Sequence, residues 1–262
     1  MMERRGIGKK LAGMAAAVML MVLMMGMTSL AAAKTEGLGF GQAITNMDED
    51  ASIVHYYKFQ VKKPGAVSVS AVGVSNGYYV GLNIALCNAK GKVLEECYVN
   101  NMSSYEDSRQ VTFGVNKGVY QIRIQTPYRY VLSSAFQSWP EKSGNTRTKA
   151  VTLKRKALKK GVVGIGESAK KADWYKIVLK KPAKFSLEFS AYCNRYLYVT
   201  VIPSKKAKIG GSGNMYVRNS TMTQNYRTTT GKKLPAGTYY VRVWRGAGGN
   251  SATNGIYTLR WK

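Results

Sequence analysis

Apolar and polar positions alternate with period two over much of the chain beyond residue 50, the pattern of half-buried β-strands. Tyr57, Phe59 and Val61 share one face of a segment whose other face carries Lys58 and Lys62. Tyr175, Ile177 and Leu179 do the same opposite Lys176 and Lys180. A second strand buries Val67 and Val69 in the first region, and Phe185, Leu187 and Phe189 in the other. A later strand places Tyr120, Ile122 and Ile124 on one face, matched by Tyr239, Val241 and Val243. Closing strands are expected at about 130–139 and 256–261. Turn formers punctuate these runs at Pro64, at Asn88–Gly91, at Asn116–Gly118 and at Pro235–Gly237. No sustained helical period follows the N-terminal segment. Short strands with frequent turns predict β-sandwiches.

The two sets of strands are copies of one unit. Tyr57, Lys58, Lys62, Lys63, Pro64 and Ser68 recur as Tyr175, Lys176, Lys180, Lys181, Pro182 and Ser186, an offset of 118. Gly118, Tyr120 and Arg123 recur as Gly237, Tyr239 and Arg242, an offset of 119, so the spacing inside the unit is kept. A repeat of this length suits an independent domain better than a solenoid. The polar stretch from Pro140 divides the chain into a first sandwich at 34–139, a linker at 140–147 and a second sandwich at 148–262. Lys149–Lys160 is read as the leading strand of the second sandwich.

Residues 1–33 stand apart. Arg4, Arg5, Lys9 and Lys10 precede a Met/Leu/Ala/Val run, and Ala31–Ala33 closes it with small residues. Basic, then apolar, then small is the order of a cleaved secretory signal helix. Export is therefore expected, with no integral membrane insertion after cleavage. The three cysteines, Cys87, Cys97 and Cys193, are an odd set for a disulfide framework and read as small buried hydrophobes. Cys87 and Cys97 flank the Asn88–Gly91 turn, but 87 should face about 92 across it.

Charge then divides the units. The whole chain has 40 Lys and Arg against 13 Asp and Glu, a formal +27. Residues 34–143 hold 11 basic and 9 acidic residues, whereas those after 143 hold 25 and 3, a net of +22. Such a domain attracts polyanions in a salt-dependent way. Candidates for that contact are Lys154, Arg155, Lys156, Lys180, Lys181, Lys205, Lys206 and Lys208. Export argues against nucleic acid as the native partner and favours cell-wall polymers, acidic polysaccharides or matrix. On the strand 238–244, Tyr240, Arg242 and Trp244 point away from the core, as do Tyr196 and Tyr198 on a neighbouring segment. If these strands share a sheet, they make an aromatic and cationic face suited to sugar rings or peptide prolines. Cover by the leading strand or by the other domain is the competing reading.

The run Asp173–Ile177, followed by Pro235–Val243 and Gly255–Leu259, resembles the bacterial pre-peptidase C-terminal domain. Gly144–Thr146 is similar to that family's opening. The first unit is a degenerate copy, with His55 in place of the Asp and Tyr56 in place of the Trp. The resemblance implies jelly-roll-like β-sandwiches of the kind that follow exported enzymes and includes the collagen-binding domains of clostridial collagenases. It also implies calcium held by acids near the start of a domain, for which Asp48, Glu49 and Asp50, beside Asn46, are the weak candidates here. No other cofactor is expected.

The inventory leaves little for catalysis. His55 is the single histidine and reads as a strand-edge polar residue, and Asp173 as a turn or backbone-capping acceptor. The expectation is an all-β, secreted, non-catalytic protein of two tandem sandwiches that binds polyanionic or fibrous extracellular material mainly through the second. An accessory module for a separately encoded exported enzyme is the alternative, and a hydrolase the weaker one.

Overall fold

The structure is a computed structural model that describes residues 32–99, 110–184, 186–203, 214–218, 222–227, 233–246 and 251–262. The proposed leader, up to residue 31, and Phe185 lie outside the described residues. The described part is all-β, as the alternation requires. Among the described residues, no helix is long and apolar enough to cross a membrane.

Among the described residues, ten strands build the first unit. Sheet A runs in the order β1 (Ala33–Gly37), β3 (Val54–Val61), β9 (Gly118–Ile124), β6 (Leu82–Asn88), β7 (Val93–Val99). Sheet B runs β2 (Ala43–Asn46), β10 (Arg129–Ser138), β4 (Gly65–Ser75), β5 (Tyr78–Val80), with β8 (Val111–Val115) also on β4. The second unit repeats this plan. Sheet C runs β11 (Val151–Thr152), β13 (Ala172–Leu179), β18 (Gly237–Trp244), β15 (Tyr196–Pro203), β16 (Asn214–Arg218). Sheet D runs β12 (Leu158–Val163), β19 (Gly255–Trp261), β14 (Ser186–Cys193), β17 (Met222–Arg227). The register repeats too: Tyr57 faces Ile122 in one unit, and Tyr175 faces Val241 in the other.

Each pair of sheets encloses its own core. Tyr57, Phe59, Val67, Val69, Ile122 and Leu132 meet in the first, and Tyr175, Ile177, Phe189, Val199, Val241 and Leu259 in the second. Complete burial of such side chains stabilises by about 1.5–3 kcal/mol each. Buried tyrosine pairs recur as well: Tyr57 and Tyr130 hydroxyls are 2.7 Å apart, Tyr175 and Tyr257 hydroxyls 2.8 Å.

The structure departs from the sequence expectation at three places. Lys149–Lys160 is not one leading strand but two, β11 in sheet C and β12 in sheet D, because the chain turns at Lys154–Ala157 with Lys156 at φ 63°. Asp173 is no turn residue: it lies within β13, 3% exposed, and accepts a 2.7 Å hydrogen bond from the Tyr257 hydroxyl. His55 is not a strand-edge residue but is buried within β3, where the Asn46 side-chain amide reaches its Nδ1 at 3.0 Å. No disulfide joins the cysteines: Cys87 faces Val93 across the hairpin, Cys97 faces Ile84, and the Cys193 thiol donates to the Arg195 carbonyl at 2.9 Å.

The base of the first unit sits on the top of the second. The Gly114 amide donates to Asn254 Oδ1 at 2.7 Å, and the Ile165 amide donates to the Gly114 carbonyl at 2.8 Å. A Cβ on Gly114 would lie 2.6 Å from the Gly255 backbone, so glycine is required for this approach. Glu95 of β7 is buried between the units and accepts hydrogen bonds from the Asn194 and Asn254 side chains. Arg245, 2% exposed, donates to the carbonyls of Gly164 and Thr253 and pairs with Glu167, which also takes a 2.5 Å bond from Asn116.

Candidate binding surface

The outward positions of β13, β18, β15 and β16 form one continuous face. Pairing sets Tyr198 between Tyr216 and Trp244, and Arg242 between Thr200 and Trp174. Tyr240 lies opposite Ile202 on one side and Lys176 on the other. Tyr196, Tyr198, Tyr240, Arg242 and Trp244 thus share one sheet, the condition on which an aromatic and cationic face depended. The alternate residues Leu197, Val199, Tyr239, Val241 and Val243 are fully buried beneath them, which fixes the direction of the outer set.

Four rings cluster at the end of this face nearest the first unit. Centroids of Tyr196 and Tyr198 are 6.2 Å apart, Tyr196 and Tyr216 5.5 Å, Tyr198 and Tyr216 5.7 Å, and Tyr198 and Trp244 6.0 Å. Tyr196 and Tyr216 remain 38% and 54% exposed. Trp244 is anchored by its Nε1–H, which donates to Thr200 Oγ1 at 2.9 Å. The Arg242 guanidinium lies 3.8 Å from the Trp244 centroid and 5.6 Å from that of Trp174. Its Nε is covered without a hydrogen-bond partner, and burial lowers its pKa. Arg147 from the segment leading into β11 lies 4.4 Å over the Tyr240 ring. The lead-in therefore caps Tyr240, while β11 itself pairs along the edge of β13, at the opposite side of the sheet from β15 and β16.

Among the described residues, no carboxylate pairs with Arg242 or Arg147. Of the second unit's three acids, Glu167 is held by Lys171, Arg245 and Asn116, Glu188 pairs with Lys262, and Asp173 is buried. Burial, reinforced by the neighbouring Glu141 carboxylate, pushes the Asp173 pKa up to about 8.

The basic candidates fall elsewhere. Arg155 pairs with Trp261 at the far end of β19, whose first residue, Gly255, touches the first unit. Seven strand residues separate those ends by about 20 Å. Lys154, Arg155 and Lys156 are exposed at that far end, and Lys180 and Lys181 join them just beyond β13. Lys205, Lys206 and Lys208 lie outside the described residues. The structure thus separates an aromatic patch near the joint from a cationic tip, with Tyr240, Lys176 and Arg147 between them.

Trp174, Tyr216 and Arg147 were not among the expected site residues. Trp174 was findable, since it is out of phase with Asp173 and Tyr175. Tyr216 sits on a short strand beside a Gly-rich stretch where no alternation signals its face. The calcium candidates do not fit a cation site: Asp48 bonds Lys34 at 2.6 Å, Glu49 pairs with Arg129 at 2.9 Å, and Asp50 accepts the Ser52 amide at 2.8 Å. Three carboxylates turned to separate partners do not converge as the six or more oxygens of a calcium shell must. Burial lowers the His55 pKa, and the side-chain atoms within hydrogen-bond or ion-pair reach of its ring belong to Asn46 and Asp48.

No protein-family model matches the chain, and no curated protein matches its sequence. Solved structures similar to it include the CUB1-EGF-CUB2 region of human MASP-1/3, with 8% identity, 84% of this chain and 99% of that one covered, and a TM-score of 0.22. Tripeptidyl peptidase 2 gives 10% identity, 86% and 24% coverage and a TM-score of 0.31. The plant receptor-like kinase ANX2 gives 7% identity, 85% and 83% coverage and a TM-score of 0.25. Such distant likenesses lend no activity to this chain.

Proposed function

We propose that the chain is an exported, non-catalytic binding protein that attaches to a polyanionic extracellular polymer, such as a cell-wall polymer, through its second unit. The carrying observation is the separation of charge: 25 basic residues follow position 143 against 3 acids, and all three acids are buried or held by partners. Export rests on the basic, apolar and small order of residues 1–33. The resemblance to pre-peptidase C-terminal domains accords with a module that handles extracellular material. The cationic tip supplies long-range attraction, and the aromatic face supplies short-range contact.

Pull-down of the purified mature protein on isolated cell walls, wall-stripped cells and collagen, at low salt and at about 1 M, tests this. The Debye length shrinks from about 10 Å at 0.1 M to about 3 Å at 1 M, so charge attraction is screened out. Wall binding at low salt that is lost at high salt is expected. Binding that persists at high salt would favour an apolar interface with an exported partner protein instead.

A further inference from the structure

Resting on the polyanion reading, we propose that the outer face of sheet C is a site for an acidic polysaccharide, with sugar rings on the Tyr196, Tyr198, Tyr216 and Trp244 cluster and a sugar carboxylate on Arg242. The internal repeat provides the first argument. Arg123 of the first unit occupies the position of Arg242, one offset of 119 earlier, yet it is neutralised by Glu96 at 2.7 Å. The flanking Trp174 and Trp244 correspond there to Tyr56 and Gln125. The same scaffold position thus carries an internally satisfied arginine in one unit. In the other it carries a ring-stacked arginine with no carboxylate against it among the described residues. A guanidinium fork matches a carboxylate in two parallel hydrogen bonds, so the missing partner is of that kind.

The rings decide what bears the carboxylate. Their planes are inclined to one another by 31°, 61°, 42° and 49°. Flat nucleobases stack on parallel faces, whereas a puckered sugar presents C–H groups in several directions and suits an inclined set. Proline-rich protein would use the rings but leave Arg242 unpaired, and an anionic chain without rings would leave the cluster unused. The cluster is also held in place. Trp244 is tied to Thr200, and Gly246 backs Tyr198 so closely that a Cβ there would come within 2.6 Å of the ring. Little freedom is lost on binding to such a surface. Trp244, Arg242 and Tyr240 follow one another on β18 at intervals of about 7 Å, and Arg147 and Lys176 flank Tyr240. Ring and charge alternate along the strand, as they do in a polymer whose every sugar bears a carboxylate.

Affinity electrophoresis of the mature protein in polygalacturonate, neutral galactan, polyglutamate, single-stranded DNA and soluble collagen separates the cases. Polygalacturonate is expected to retard the protein most. Arg242→Gln should weaken that retardation by about tenfold, with polyglutamate retardation within about twofold of wild type. Arg123→Gln should change neither. Tyr198→Ala with Trp244→Ala should act like Arg242→Gln; quenching of tryptophan fluorescence by polygalacturonate in wild type gives a second readout independent of that variant's folding. Equal retardation by polyglutamate and polygalacturonate, unmoved by Arg242→Gln, overturns the polysaccharide site and leaves the polyanion reading standing. Preference for DNA or collagen overturns it as well. Failure of the wild type to respond to any polyanion removes the polyanion reading itself.

Discussion

Arg245 and Arg242, three residues apart, show how differently one residue type is used here. Arg245 is almost wholly buried and spends its donors on backbone carbonyls and Glu167, so it belongs to the joint and not to any binding charge. Arg245→Met takes one partner from Glu167, which keeps Lys171 and Asn116, and removes a donor from the carbonyls of Gly164, Ser168 and Thr253; a buried acceptor left unsatisfied costs about 1–3 kcal/mol, and a fall in thermal midpoint checks it. Arg242→Gln touches no such network and should leave the midpoint nearly unchanged. Asp173 gives the molecule a pH dependence. Its pKa is raised from 3.8 to about 8, first by burial and then by Glu141. The folded state therefore binds a proton that the unfolded state releases between those values. Stability should fall as pH rises from about 4 to 8 and level off above, with a slope of up to about 1.4 kcal/mol per pH unit from this group. Glu95, raised by burial, acts in the same direction. Urea unfolding at several pH values should show Asp173→Asn with a flatter profile than wild type.

At the scale of elements, alternation made the inward and outward faces of β3, β9, β13, β15 and β18 legible, because a strand's side-chain period is two and one face is buried. It also made the candidate ligand residues on β15 and β18 legible as outward. Their adjacency was not, since pairing of β15 with β18 joins segments about 40 residues apart, a choice made by core packing and not by local pattern. The joint was silent in the sequence for the same reason: Gly114, Asn254 and Glu95 acquire their roles only when the two units meet. Gly114→Ala should force that joint apart and destabilise the protein by about 1–3 kcal/mol. Urea unfolding would show this, with larger dimensions in small-angle scattering. A cleft of about 470 Å³ beside the joint, lined by Ser68, Thr112, Trp139, Tyr192 and Thr258 among others, would open with it.

At the scale of the whole molecule, two sandwiches of one plan have been given different surfaces. The first is nearly neutral and pairs its face arginine internally. The second is strongly cationic, with its acids withdrawn into the joint, the core and a pair with Lys262. The ligand proposed above belongs to the second. Hydroxyl-radical footprinting of the mature protein, free and saturated with polygalacturonate, tests that placement in one measurement. Tyr78, Tyr79 and Tyr98 of the first unit, 74%, 64% and 61% exposed, serve as the internal reference. Protection of Tyr196, Tyr216 and Trp244 with unchanged oxidation of Tyr78, Tyr79 and Tyr98 is the predicted result; protection of the first unit's tyrosines with none at Tyr196 and Tyr216 would contradict it.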